Sequence, residues 1–474
     1  MRRPRSHASL LIYNCMSSVR QDPSPSFPRF CPYLPRVANP LTFPHTMLNA
    51  EECNMKPSPT KPKELTLLVG QRDHHDQEPS VSQADHDLDT APLILRDAYD
   101  AGRFELRSTQ YGVLGRVLSV HDRGNISASD DPRIYVNTNA PFSAIVCGVQ
   151  GAGKSHTVSV LLESMFISNV EEIGSLAKPL SGLVLHYGEA GASAHPCEAA
   201  SIGKSTVPGV TPPKIKVFVS PSSLKRMTDL YAPLGKSITV LPLLFTENEL
   251  DAAAILSMMA VGGADGAPLY IQIILSILRR LGSSFTFRAF TNELETHKKN
   301  FNPAQLAGLD QRMSIMSTFM TTKASQVTEQ KDRFAAGQLT IVDLSDLFID
   351  SASACSIFEI INRLFVRAEV GTGKVLLVDE AHKYLSSTKG FSGLTKSLLT
   401  LIREQRHHGL RVIISTQEPT VVPPVLLDLC SVAILHRFSS PAWWTHICGH
   451  VSADFSESDA FDKIVRLRVG AKFS

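Results

Sequence analysis

Past residue 100 the chain alternates apolar runs of four to eight residues with longer helical stretches. That pattern predicts an α/β fold, a mostly parallel sheet flanked by helices. Eight runs read as strands: Ala144–Cys147, Leu183–Tyr187, Ile215–Val219, Thr239–Leu244, Thr340–Leu344, Val375–Val378, Val412–Ser415 and Val432–Leu435. Upstream, Tyr111–Val120 reads as a strand or hairpin and Arg133–Val136 as another extended piece. Between Glu247 and Phe334 the pattern turns helical, with Leu269–Leu281 its most apolar stretch. No internal repeat interrupts the series.

The first 92 residues lack this periodicity. Eleven of the 29 prolines fall by residue 62, and Gln71–Thr90 is rich in Asp, His, Ser and Gln, including His74-His75. Such a composition buries too little apolar surface to offset chain entropy, so residues 1–92 are expected to be disordered. Up to residue 50, six arginines stand against one acid, Asp22, as at the start of a mitochondrial transit peptide. The proline density opposes the amphipathic helix such a peptide needs, which favours a plain tail. Ala8–Ile12 is too short for a secretory core.

Composition narrows the function classes. With 47 Lys+Arg against 45 Asp+Glu, the formal charge is +2, which excludes a strongly basic coat protein and an acidic solvating tail. No apolar run approaches the roughly 18 residues of a membrane span. The eight cysteines form no CxxC pair, which argues against a zinc module or disulfide scaffold and for a reducing, intracellular setting. With the proline-dense leader, cytoplasm or nucleus is expected rather than mitochondrion.

The first chemistry follows the strand Ser143–Cys147. Gly148-Val149-Gln150-Gly151-Ala152-Gly153-Lys154-Ser155 leads, with His156, into a helical run. Strand, G-x-x-x-x-G-K-S, helix is the phosphate-loop order. Its glycines let backbone N–H groups turn toward a phosphate, and the helix start presents further free N–H groups. Lys154 brings a point charge to the β and γ phosphates, and Ser155 a hydroxyl to Mg²⁺. Gly203-Lys204, Gly235-Lys236 and Gly373-Lys374 lack the first glycine of the spacing.

A second strand, Val375–Val378, ends in Asp379-Glu380. Parallel strands deliver such groups to the carboxyl edge of the sheet, where ligands bind. Asp379 is placed to hold Mg²⁺ through its water shell and Glu380 to polarise the attacking water. The rival strand ending at Asp343 lacks a second acid. A third strand ends in Ser415-Thr416-Gln417, and Gln417 is an uncharged side chain that can both donate and accept, as a γ-phosphate sensor needs. Upstream, Arg403 and Arg406 share a face of a helix closed by Gly409, and Arg437 ends the last strand. Each is a candidate arginine finger or an ordinary surface arginine. His446, Cys448 and His450 lack a fourth partner for a metal, Trp443-Trp444 reads as a core edge, and Cys147 as inert core.

GVQGAGKS (148–155), LLVDEAH (376–382), REQRHHG (403–409) and IISTQEP (413–419) together resemble the HerA–FtsK class of P-loop ATPases, over about residues 130–440. The resemblance implies a RecA-like core, often a hexameric ring of identical subunits pumping DNA or protein. It implies an ATPase centre of Lys154, Ser155, Asp379, Glu380 and Gln417. Members of that class usually continue with another strand after the segment matching Ile464–Gly470, where this chain stops at Ser474. The expected organisation is a tail over 1–92, a short β-rich lead-in over 93–137, and a P-loop ATPase domain over 138–474 with a helical insert over about 247–335. The expected activity is Mg²⁺-dependent ATP hydrolysis driving a motor. The alternatives are a regulatory NTPase switch and an ATP-binding scaffold.

Overall fold

The computed structural model describes residues 89–102, 110–117, 120–122, 125–127, 131–168, 170–205, 208–259, 269–321, 326, 330, 332–385, 393–450 and 457–467. The predicted tail up to residue 88, with its transit-peptide pattern and the His74-His75 pair, lies outside them.

The chain enters through short extended pieces: β1 (Leu93–Leu95), β2 (Gln110–Arg116), β3 (Val120–Asp122), β4 (Asn125–Ser127) and β5 (Arg133–Val136). β3 and β4 form a hairpin. β6 (Ser143–Cys147) opens a larger sheet, and β7 (Gly174–Leu176) returns to the small one. The small sheet is antiparallel in the order β1-β5-β2-β7. The rings of Tyr99, Tyr111 and Tyr135 pack within 5.1–5.3 Å on it. Leu93 and Leu114 turn instead to the core shared with the helix Lys154–Phe166.

The large sheet is completed by β8 (Ser181–His186), β9 (Lys214–Val219), β10 (Ile238–Pro242), β11 (Gln338–Asp343), β12 (Lys374–Val378), β13 (Leu410–Thr416) and β14 (Val432–Leu435). Its order is β10-β9-β11-β8-β12-β13-β6-β14, every neighbouring pair parallel. All eight predicted runs are strands of this sheet. Their continuous apolar character has a simple cause, since both faces are covered. On β6, Ile145 and Cys147 point to one face, Ala144 and Val146 to the other. One face packs on Lys154–Phe166 and Leu224–Tyr231; the other packs on Ser351–Arg367, Gly393–Arg403 and the helical insert. β10 is an edge strand and ends at Pro242, where a residue without an N–H costs the ladder least.

The insert holds the helices Ala252–Met259, Leu269–Leu281, Phe287–His297 and Pro303–Thr318. In Leu269–Leu281, Ile271, Ile274, Ile277 and Leu278 are buried, the one-sided stripe of a helix packed on a core. Truncating Ile274 to alanine would cost roughly 2–5 kcal/mol. The two ends of the insert are tied by a buried Arg333, which pairs with Glu249, donates to the Leu244 carbonyl and bonds Gln330 Oε1 at 3.0 Å.

A parallel sheet flanked by helices, with the phosphate-loop segment between β6 and its helix, is the RecA-like P-loop NTPase fold the sequence predicts. No helix among the described residues is long and apolar enough to cross a membrane.

Candidate active site

Because β6, β8, β12, β13 and β14 are parallel, their carboxyl ends share one rim of the sheet. β13 lies between β6 and β12. The residue following β13 therefore stands between the phosphate loop after β6 and the acid pair after β12.

In the loop, Gly151 and Gly153 take φ of 71° and 104°, values that side-chain-bearing residues rarely adopt. Gln150 and Gly151 are exposed at its tip, Val149 and Gly153 are half-buried, and Ala152 is buried. Lys154 begins the helix and is buried at 5% exposure. Its Nζ donates to the Val149 carbonyl at 3.1 Å, closing the loop on itself. Burial pushes the Lys154 ammonium down, and the nearby Glu380 and Asp379 carboxylates oppose that shift. Ser155 follows, half-buried, and His156 points outward.

The loop rests on a residue the sequence reading overlooks. His436, just past β14, is 2% exposed. Its Nδ1 lies 3.1 Å from the Ala152 carbonyl and its Nε2 3.1 Å from Thr157 Oγ1. The carbonyl can only accept, so Nδ1 carries the proton and Nε2 accepts from the Thr157 hydroxyl. This neutral tautomer agrees with a pKa pushed down to about 4, chiefly by burial. A Cβ on Gly148 would sit 2.6 Å from His436 Cβ, so the first position of the motif must be glycine. The next residue, Arg437, accepts from Val149 N–H at 3.1 Å through its carbonyl, and its side chain is exposed on the same rim.

The acid pair is fixed from several sides. Asp379 N–H donates to the Leu185 carbonyl at 2.9 Å, and the Tyr384 hydroxyl lies 2.8 Å from the Asp379 carbonyl and 3.0 Å from that of Leu185. Asp379 Oδ2 meets His186 Nδ1 at 2.9 Å and Cys197 Sγ at 3.8 Å. Burial would raise the Asp379 carboxyl, but the bond and charge of His186, with the Ser415 hydroxyl, outweigh it and hold the group low. Burial would likewise lower His186; Cys197, Asp343 and the bond to Asp379 hold it well above its ordinary value. The Cys197 thiol is pushed up to about 11 by burial.

Glu380 has φ of 51°, the one positive φ outside glycine among the described residues. Such a conformation costs about 1–2 kcal/mol. It turns the carboxylate toward Gln417, whose Nε2 donates to Oε1 at 3.0 Å and Oε2 at 2.9 Å. His382 Nε2 and Lys383 Nζ lie 3.5 and 4.0 Å from Oε2.

The structure thus gathers Lys154, Ser155, Asp379, Glu380, Gln417 and Arg437 on one rim. Arg403 and Arg406 are elsewhere. They precede Gly409, whose carbonyl accepts from Lys374 N–H at the opposite, amino end of β12. β13 separates that end from Gln417 by seven residues, roughly 20 Å. Both arginines are exposed, and among the described residues neither forms an ion pair. Trp444 is buried against Phe461 at 6.0 Å and Trp443 packs 5.8 Å from Phe438, a core edge. His450 bonds Asp428 at 2.7 Å.

The overlooked residues His186 and His436 come from separate strands and form no local motif. Their signal is positional: each is the polar residue where an apolar parallel strand stops, the place where ligands meet such a sheet.

No family model and no curated protein matches the chain. Among solved structures, VirB4 of Thermoanaerobacter pseudethanolicus aligns at 11% identity and a TM-score of 0.39, covering 75% of this chain and 92% of that one. The genome packaging NTPase B204 of Sulfolobus turreted icosahedral virus 2, in complex with AMP, aligns at 11% and 0.29, covering 69% and 89%. The bacterial conjugative coupling protein TrwBdeltaN70 aligns at 14% and 0.33, covering 61% and 65%.

Proposed function

We propose that the chain is an ATP hydrolase whose nucleotide sits on the loop 148–155 and whose water-activating base is Glu380. The observation that carries this is the convergence of the loop, the Asp379–Glu380 pair and Gln417 at one sheet rim, with Glu380 already bonded to Gln417.

The residues divide the work by chemistry. The loop N–H groups and the start of the Lys154–Phe166 helix bind the phosphates. Lys154, freed from the Val149 carbonyl, pairs with the β and γ oxygens. The Ser155 hydroxyl and the Asp379 carboxylate are hard oxygen donors, the set Mg²⁺ takes. Mg²⁺ bound there would neutralise phosphate charge as it develops. Glu380 orients water and accepts its proton, and Gln417 reports the γ-phosphate to Glu380. Arg437 stands beside the loop to meet spreading charge.

The motor reading rests on the motif resemblance. It makes the active form a ring of identical subunits, acting inside the cell on DNA or protein. Arg403 and Arg406 are too far from their own chain's site, so they serve a neighbour's site or none. ATP turnover measured with and without single-stranded DNA, double-stranded DNA and unfolded protein tests this. Stimulation abolished in Glu380→Gln supports the motor. An unstimulated enzyme that stays monomeric with ATP, by light scattering, overturns it.

A further inference from the structure

Asp379 is held by more than its own strand. His186 closes β8, the strand next to β12, and donates from Nδ1 to Asp379 Oδ2 at 2.9 Å. His186 is buried, at 7% exposure, which rules out a passing surface contact. Cys197 Sγ, from a segment folded over the phosphate-loop helix, touches the same oxygen at 3.8 Å. Cys197 is fixed in turn: its N–H donates to the Tyr231 hydroxyl at 2.9 Å, which donates to Asp343 Oδ2 at 2.7 Å. One oxygen of Asp379 is thus committed to a buried network reaching three strand ends.

We propose that His186 is a positioning residue for Asp379, fixing the carboxylate so that it meets a divalent cation shared with Ser155. The proposal rests on the ATP-site reading above. A carboxylate free to turn pays rotamer entropy on each binding event, and one anchored through a single oxygen has paid it in advance. Removing groups that orient a ligating side chain typically costs about 10–100-fold in metal affinity. Nδ1 makes the bond, and that dictates the test. An asparagine amide nitrogen falls where Nδ1 stands, whereas a glutamine amide reaches the position of Nε2. His186→Asn can restore the contact and His186→Gln cannot, although both keep a polar side chain in the same buried place.

The readout is Mn²⁺ affinity by electron paramagnetic resonance, with a non-hydrolysable ATP analogue present. It is paired with analogue affinity in EDTA and with Tm. Expected is a Mn²⁺ dissociation constant raised about 10–100-fold in His186→Gln and His186→Ala and close to wild type in His186→Asn, with analogue affinity in EDTA unchanged. Equal Mn²⁺ affinity in all variants overturns the proposal, as does a loss in His186→Asn matching that in His186→Gln. The ligating atoms of His186, Cys197 and Asp379 lie within 4.8 Å of one another. Stoichiometric Zn²⁺ on the wild type that is lost in Cys197→Ser would therefore also overturn it, making the cluster a metal site of its own. Failure of the ATP-site reading looks different: the wild type then binds no analogue at all.

Discussion

Gln417 and Glu380 are joined by a forked hydrogen bond, one amide nitrogen reaching both carboxylate oxygens at 3.0 and 2.9 Å. The carboxylate that should polarise water is therefore occupied by the side chain that should sense the γ-phosphate. On the proposed mechanism, Gln417 turning to a phosphate oxygen would release Glu380 toward water and make sensing and activation one event. Glu380→Gln keeps the shape and removes the base; kcat falls about 10²–10⁴-fold while ATP affinity stays within about threefold. Gln417→Leu removes the donor and lowers kcat about 100-fold. Steady-state turnover beside equilibrium nucleotide binding checks both. A Glu380→Gln enzyme with wild-type kcat ends the assignment of the base.

Lys154 is a buried charge whose ammonium donates back to its own loop, at the Val149 carbonyl 3.1 Å away. Its burial is costly without a phosphate, as the lowered ammonium shows. Lys154→Met keeps most of the stem and drops the charge. ATP affinity should fall roughly 30-fold or more, about 2 kcal/mol, as for a buried charge robbed of its partner. Tm without nucleotide should stay level or rise, because an unpaired buried charge destabilises the empty site. Calorimetric titration and thermal melts measure the two. Unchanged ATP affinity would mean that the nucleotide sits elsewhere.

The two results share a reason for being legible in the sequence. Lys154 and Ser155 lie in one eight-residue motif, and Asp379-Glu380 are adjacent at a strand end. The eight large-sheet strands are equally plain, since burial on both faces keeps their central residues mostly apolar. His186 and Asp379 are 193 residues apart, and Thr157 and His436 are 279 apart. No local spacing links them; the strand order does, and that order is set by packing. The arginines show the same limit from the other side. The helical stretch bearing Arg403 and Arg406 is readable, although it breaks at Glu404 into Gly393–Arg403 and Gln405–His408, and the rim it ends on follows only from the direction of β13.

His436 gives a pH dependence with a definite sign. Its pKa is pushed down to about 4 in the fold, first by burial and also by the nearby Lys154 and His156. In the unfolded chain an imidazole titrates near its ordinary value of about 6.5. Above that pH neither state carries the proton and stability is full. As pH falls from about 6.5 toward about 4, the unfolded state gains a proton that the folded state refuses, and stability is lost. The loss attributable to His436 is at most on the order of 3 kcal/mol. His436→Asn keeps a donor for the Ala152 carbonyl but cannot titrate. Urea unfolding at about pH 7 and about pH 5 should show a smaller acid loss in the variant than in the wild type. Equal losses would mean that His436 is protonated in the fold, against the tautomer its two partners require.

Arg403 and Arg406 stand roughly 20 Å from the acid pair of their own chain, at the amino end of the strand that carries Gln417 at its other end. An arginine finger at that distance can act only on another copy. Complementation separates this from a surface role. The Lys154→Met chain lacks a working phosphate loop but keeps both arginines; an Arg403→Ala/Arg406→Ala chain has the reverse defect. If the arginines act across a subunit boundary, each single population is nearly inactive. A mixture then forms some boundaries with an intact loop on one side and intact arginines on the other, and turnover reappears. Restored activity should peak near equal mixing and vanish on dilution below the assembly concentration. A double arginine variant with full activity on its own would remove both residues from the chemistry. The exposed Arg437 beside the loop would then be left as the cation to test.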